Sequence, residues 1–139
     1  MYKLSEDTFG LEEKKAVLKL FNNKSKLTYG KNVKTIEKKL SIIQNRKYCV
    51  MVNSGSSANL LGIAAALYDE KINLSKGDEI IVPTLSWSTT YAPLIQLGLK
   101  LVFVDINKDT LNIDENKIFK AITKKTRAIF AVNILGLSC

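Results

Sequence analysis

The chain of 139 residues has no histidine. Imidazole acid–base catalysis and histidine metal ligation are therefore excluded for these residues. Cysteine is scarce too. Cys49 and Cys139 are the only two, and neither belongs to a C-x-x-C pattern, so no disulfide framework and no zinc or other metal site is expected. Cys49 falls in an apolar stretch read as a strand, where a free cysteine is usually a small buried hydrophobe. No apolar run approaches the roughly 20 residues that cross a bilayer. The start, Met1 to Lys15, lacks the basic-then-apolar order of a secretion signal. A cytoplasmic protein without a membrane partner is the expectation.

The chain also lacks a dense block of one charge. Formal net charge is +8, but pairs such as Lys14-Lys15, Lys38-Lys39 and Lys124-Lys125 are scattered and alternate with acids. That is the pattern of a solvated surface, and no nucleic-acid partner is expected from it. A basic face could still attract an anionic substrate.

What is present is a core-forming composition. Hydrophobic residues make up 46% of the chain, enough for about one domain or part of a larger one. Two amphipathic helices are predicted first, at Leu11 to Asn22 and Val33 to Ile43, with a loop at Lys24 to Asn32 between them. From Tyr48 the rhythm changes. Strands are predicted at Tyr48 to Val52, Glu79 to Pro83, Lys100 to Asp105 and Arg127 to Asn133. Helices are predicted at about Ser56 to Tyr68, Trp87 to Leu97 (with a late start or kink at Pro93) and Glu115 to Ile122, the last capped by Asp114. Strand–helix alternation with continuous apolar strands predicts an α/β domain with a largely parallel sheet covered on both faces. The chain stops just after a predicted strand, so the sheet is expected to be incomplete and the chain to be the N-terminal part of a longer protein.

Two stretches have chemistry in them. Asn53-Ser54-Gly55-Ser56-Ser57 joins a predicted strand to a predicted helix. Backbone N–H groups at such a junction point outward, and the helix dipole adds positive potential. It is neither a P-loop nor a G-x-G-x-x-G fingerprint. Taken alone it is a turn with a serine cap or a seat for a phosphate, and the turn and cap is the simpler reading. Pro83 to Pro93 follows a strand, at the carboxyl end where α/β folds bind ligands. It holds the single tryptophan, Trp87, among Ser86, Ser88, Thr89 and Thr90. Hydroxyl neighbours suit an indole that stacks on a flat ligand as well as they suit an ordinary half-buried aromatic. Asp105 and Asp114 are acids at a strand end and a helix start, where turn and cap chemistry explains them better than a metal does. Tyr29-Gly30-Lys31, in the early loop, has no role that local sequence assigns.

The segments VMVNSGSSANLL, KGDEIIVPTLSWSTTYAPLIQLGLKLVFVDI, TLNID and TRAIFAVNILG, preceded by LTYGKNVKTIEKKL, occur in an order that resembles the DegT/DnrJ/StrS-type family of vitamin B6-dependent nucleotide-sugar enzymes. The resemblance covers nearly the whole chain from about Leu27. It implies a type I pyridoxal-phosphate (aspartate aminotransferase-like) large domain with a mixed, mainly parallel sheet, here from residue 47 to 139, preceded by a helical segment at 1–46. It implies that Gly55 and Ser56, with Ser57 close behind, hold the phosphate of pyridoxal 5'-phosphate (PLP) or pyridoxamine 5'-phosphate (PMP), and that Trp87 stacks on its ring. Most members are aminotransferases with a catalytic lysine. A smaller branch removes the C3 hydroxyl of a ketosugar, with histidine in place of the lysine. SWSTTY looks most like the branch that acts on GDP-4-keto-6-deoxymannose.

The Lys or His base, the acid paired with the pyridine nitrogen and a further phosphate-binding serine come later in the family, so no catalytic residue is expected before Cys139. The implied protein is a sugar 3-dehydratase of surface-polysaccharide biosynthesis. It would use a nucleotide-linked ketosugar and an amino donor such as glutamate, and would be a homodimer at full length. A nucleotide-sugar aminotransferase is the alternative within the family. A non-catalytic phosphate- or nucleotide-binding module is the alternative outside it.

Overall fold

A computed structural model describes residues 6–23 and 26–139. The first five residues, which open the stretch read for a signal pattern, and Lys24-Ser25 of the predicted loop lie outside them. The chain divides into two compact units, one through Met51 and one from Val52 to Cys139.

The first unit carries α1 (Leu11–Asn22) and α2 (Lys31–Ile43). The Glu13 carboxylate accepts the Gly10 N–H at 2.8 Å, which satisfies a backbone donor at the start of α1. Glu12 and Glu13 in its first turn and Lys19 in its last match the helix dipole. Gly30 precedes α2, and a Cβ there would lie 2.8 Å from the Lys26 carbonyl oxygen. Only glycine lets the loop fold this closely onto the helix start.

Tyr48 to Val52 is not a strand, contrary to the apolar pattern. A strand needs a neighbour for its backbone groups, and the Met51 N–H goes instead to the Glu37 carboxylate at 2.9 Å. Tyr48 and Val50 are exposed, and Cys49 is half-buried in an irregular segment, not buried in a strand.

The second unit is an α/β layer structure. In order it contains α3 (Gly55–Tyr68), β1 (Glu79–Pro83), α4 (Ser88–Gln96), β2 (Lys100–Val104), α5 (Glu115–Ala121), β3 (Thr126–Ile129) and a short 3-10 turn at Ile134–Gly136. The strands form a parallel sheet in the order β2-β1-β3. The last predicted strand is shortened at its end, although the Phe130 N–H still reaches the Ile81 carbonyl at 2.8 Å.

β1 is central, and Ile80 to Pro83 are buried. This is why these four residues are all apolar instead of alternating. Ile80 and Val82 face one way, into a core with Ile63 of α3 and Leu94 of α4. Ile81 faces the other way, with Val104 and Ile113, backed by Ile118 and Ala121 of α5. At the end of α4, Gly98 adopts φ +82° and the Leu99 N–H returns to the Leu94 carbonyl. This left-handed stop turns the chain straight into β2. The carboxyl ends of β1 and β2 thus lie together, in register from Glu79 opposite Lys100 to Pro83 opposite Val104. The loop carrying Trp87 leaves from that edge.

Candidate functional site: two helix starts joined by one amide

Ser54 caps α3. Its hydroxyl oxygen accepts the Ser57 N–H at 3.2 Å and its proton goes to the Ser57 hydroxyl, also at 3.2 Å. The first intrahelical bond runs from the Ala58 N–H to the Ser54 carbonyl. The N–H groups of Gly55 and Ser56 have no acceptor among the described residues. They are the orphan donors that every helix start presents, here beside the positive end of a helix of 14 residues. No atom lies within 4 Å of where a Cβ would stand on Gly55, so the backbone there is open to close approach. An oxyanion fits two free donors, a hydroxyl and an unobstructed backbone. Ser57 differs from its neighbours. Its N–H is taken by the cap, which leaves its hydroxyl proton as the group it can offer a ligand.

Trp87 is the residue before the first turn of α4, and its side chain is 77% exposed. Its own chain leaves the indole face open, where a flat partner could stack. Its loop is nevertheless fixed. The Thr90 N–H reaches the Trp87 carbonyl at 2.9 Å, and the hydroxyls of Ser86 and buried Thr90 lie 2.7 Å apart. The Tyr91 hydroxyl donates to the Pro83 carbonyl at 2.8 Å, and its ring meets Phe103 of β2 edge-on at 5.4 Å. Partial burial raises the Tyr91 pKa, so the phenol stays protonated as a donor at neutral pH.

The two loops are tied together by Asn59. Its side-chain Nδ2 donates to the Thr89 carbonyl at 3.1 Å. That carbonyl is available because Pro93, four residues on and inside α4, has no N–H to give it. The helix continues through the proline without the late start its sequence suggested, and the amide of α3 takes the bond the proline cannot make. Neither residue stands out alone. The pairing becomes visible only when Pro93 is placed one helical turn after Thr89. Replacing Asn59 by alanine would leave the Thr89 carbonyl unpaired in a half-buried position. A loss of about 1–3 kcal/mol is expected, read as an earlier denaturation midpoint with unchanged helix content. An unchanged midpoint would mean that water replaces the amide at no cost.

The two acids that might have suggested a metal are engaged otherwise. Asp114 caps α5, accepting the Asn116 N–H at 3.1 Å. Asp105 accepts the Ile106 N–H at 2.9 Å and the Lys117 ammonium at 3.1 Å. The backbone bond to Ile106, then Lys117, hold its carboxyl below the usual carboxylate range. The longer Thr84 contact at 3.4 Å links it to the loop after β1. Among the described residues no group of three or more His, Cys, Asp or Glu is placed to hold a metal ion, and no helix is long and apolar enough to cross a membrane.

Comparison with known proteins agrees with this architecture. The model of the DegT/DnrJ/EryC1/StrS aminotransferase family matches residues 8–139, and the chain belongs to that family. It is 49% identical over 135 residues to GDP-4-keto-6-deoxy-D-mannose 3-dehydratase of Yersinia pseudotuberculosis, covering 97% of this chain and 34% of that protein. It is 35% identical over 111 residues to the 3-oxo-glucose-6-phosphate:glutamate aminotransferase of Bacillus subtilis, covering 80% and 24%. The structure of the Escherichia coli GDP-4-keto-6-deoxy-D-mannose-3-dehydratase with bound hydrated PLP superposes with a TM-score of 0.87 at 48% identity, over 98% of this chain and 35% of that one. The chain therefore spans about a third of the length of the relatives it matches.

Proposed function

We propose that residues 53–57 and Trp87 form the phosphate and ring half of a PLP or PMP site, within a nucleotide-sugar enzyme that removes the C3 hydroxyl of a ketosugar. The observation that carries this reading is the Asn59–Thr89 bond. It ties a helix start with free N–H donors to a helix start that presents an exposed indole. A phosphate and a flat ring on one molecule would use both.

In this reading Gly55 and Ser56 bind the phosphate through their backbone N–H groups, and Ser57 adds its hydroxyl. Trp87 holds the plane of the ring and keeps water from one face. Asn59, with Tyr91 and Thr90, fixes the distance between the two. When bound, the cofactor supplies the electron sink for bond breaking next to the sugar's keto carbon. No acid–base step is assigned to residues 1–139. The likeness to the 3-dehydratases favours dehydration over transamination.

The substrate in this reading is a nucleotide-linked ketosugar, GDP-4-keto-6-deoxymannose in the first instance, with glutamate as amino donor. In this reading the protein is cytoplasmic and works as a homodimer, and the unit from Val52 onward carries part of the cofactor domain.

The test is turnover by the full-length protein given PLP, glutamate and GDP-4-keto-6-deoxymannose. Mass spectrometry is expected to find a sugar that has lost its C3 oxygen, with glutamate converted to 2-oxoglutarate. A product that keeps that oxygen and gains an amino group would establish the aminotransferase instead. Cofactor binding with no change in the sugar would overturn the enzymatic reading.

A further inference from the structure

Asn112 is a buried polar residue, 3% exposed, that the cofactor reading does not use. It lies in the loop after β2, and its neighbour Ile113 packs with Ile81 and Val104 in the core. The Asn107 N–H donates to the Asn112 carbonyl, and the Asp114 N–H to the Asp105 carbonyl, both at 2.9 Å. The side-chain amide is thus mounted on a fixed base. Among the described residues its hydrogen bonds all go to one segment, the turn after β3. Nδ2 donates to the Leu137 carbonyl at 3.1 Å and to the Ser138 carbonyl at 3.0 Å, and Oδ1 accepts the Ile134 N–H at 3.0 Å. Two carbonyls and one N–H fix which way round the amide stands.

The segment so held has a demanding shape. Leu135 and Gly136 are consecutive left-handed residues, at φ +52° and +82°. That conformation costs leucine free energy and is kept where the surroundings fix it. The Asn133 Oδ1 closes the segment by accepting the Cys139 N–H at 3.1 Å. The three strands are parallel in the order β2-β1-β3, so the loops after β2 and β3 flank the loop after β1, which carries Trp87. Asn112 joins the two flanking loops at the sheet edge where α/β folds bind ligands. The outer groups of the held segment stay open. Leu135 is exposed, and the Asn133 Nδ2 has no partner among the described residues.

We propose that Asn112 is a positioning residue for the sugar substrate: it fixes the Asn133–Ser138 segment as a wall that the sugar meets beside the cofactor. A loop held from beneath, with its outer groups open, meets a ligand in a set shape and loses little freedom on binding. The inference rests on the cofactor reading above, and adds to it a residue that touches neither cofactor nor sugar.

Asn112→Asp in the full-length protein tests it. The protonated acid can donate to one of the two carbonyls and accept the Ile134 N–H. The ionised acid faces the Leu137 and Ser138 carbonyl oxygens with no proton to give, so burial and those oxygens raise its pKa. Asp114, Glu115 and Cys139 line the same small cavity, and Lys117 is paired with Asp114 at 3.4 Å. The two carboxylates push in the same direction as burial, and Lys117 opposes them. Relative to wild type at the same pH, the KM for GDP-4-keto-6-deoxymannose is expected to stay close at acidic pH and to rise roughly tenfold as pH increases. PMP affinity and kcat should change little. A residue that only stabilised the fold would lower the active fraction, and with it kcat, without a pH-dependent KM. Asn107→Asp puts the same charge in the same loop, where the Asn107 Oδ1 only accepts, from the Asp109 and Thr110 N–H groups. That variant should keep the wild-type KM at every pH. An Asn112→Asp KM that tracks wild type across the pH range would overturn the proposal. So would a PMP affinity that falls together with turnover. A wild type that binds no PMP would overturn the cofactor reading, and this inference with it.

Discussion

Replacing Trp87 by alanine in the full-length protein is expected to weaken PMP binding by about 1–3 kcal/mol, roughly 5- to 150-fold, by analogy with the stacking of flat bases on aromatic side chains. The loss should be this large because nothing else on the loop can take the indole's place. Ser86 is engaged with Thr90, and Tyr91 is turned inward to Pro83 and Phe103. PMP is the right probe because it forms no covalent link to a lysine, so its affinity reports contacts alone. Trp87→Phe keeps a ring and should recover part of the loss. The change should cost little stability, since the side chain is 77% exposed. Equilibrium dialysis against PMP would read the effect. Equal affinities for wild type and Trp87→Ala would remove the tryptophan from the site.

The largest stability effect is expected at Ile81. It lies at the centre of the central strand with no exposed surface, packed with Val104 and Ile113 and backed by Ile118 and Ala121 of α5. Ile81→Ala removes buried methyl groups and leaves a cavity that β1 cannot close, because both neighbouring strands hold it in register. About 2–5 kcal/mol should be lost. Ile81→Val should lose about 0.5–1.5 kcal/mol. Chemical denaturation of the full-length protein and both variants gives the comparison. If alanine costs no more than valine, this side of the sheet is not the tight core described above.

Local patterns carried much of this architecture, and long-range pairing carried the rest. β1 was legible because a strand buried on both faces is a continuous apolar run, and Ile80-Ile-Val-Pro83 is one. The Asp114 cap and the bounds of α1 were legible because capping and amphipathic spacing are local. Tyr48 to Val52 misled because β-forming residues do not make a strand unless a neighbour accepts their backbone bonds, and that is a property of the fold. The proposed phosphate seat was half legible. Asn53 to Ser57 announced a helix start, but which N–H groups stay free depends on Ser54 capping Ser57, which only the structure resolves. Asn59 was not legible from local pattern at all. Its partner is 30 positions away, and its bond exists only because Pro93 leaves the Thr89 carbonyl unpaired.

The stretch from Asn53 to Ser57 and the loop around Trp87 are claimed to hold one molecule. A crystal structure of the full-length protein with PMP tests that directly. The account predicts the phosphate within hydrogen-bonding distance of the Gly55 and Ser56 N–H groups, and the pyridine ring stacked on the Trp87 indole. A phosphate bound elsewhere, or a ring lying away from Trp87, would contradict it.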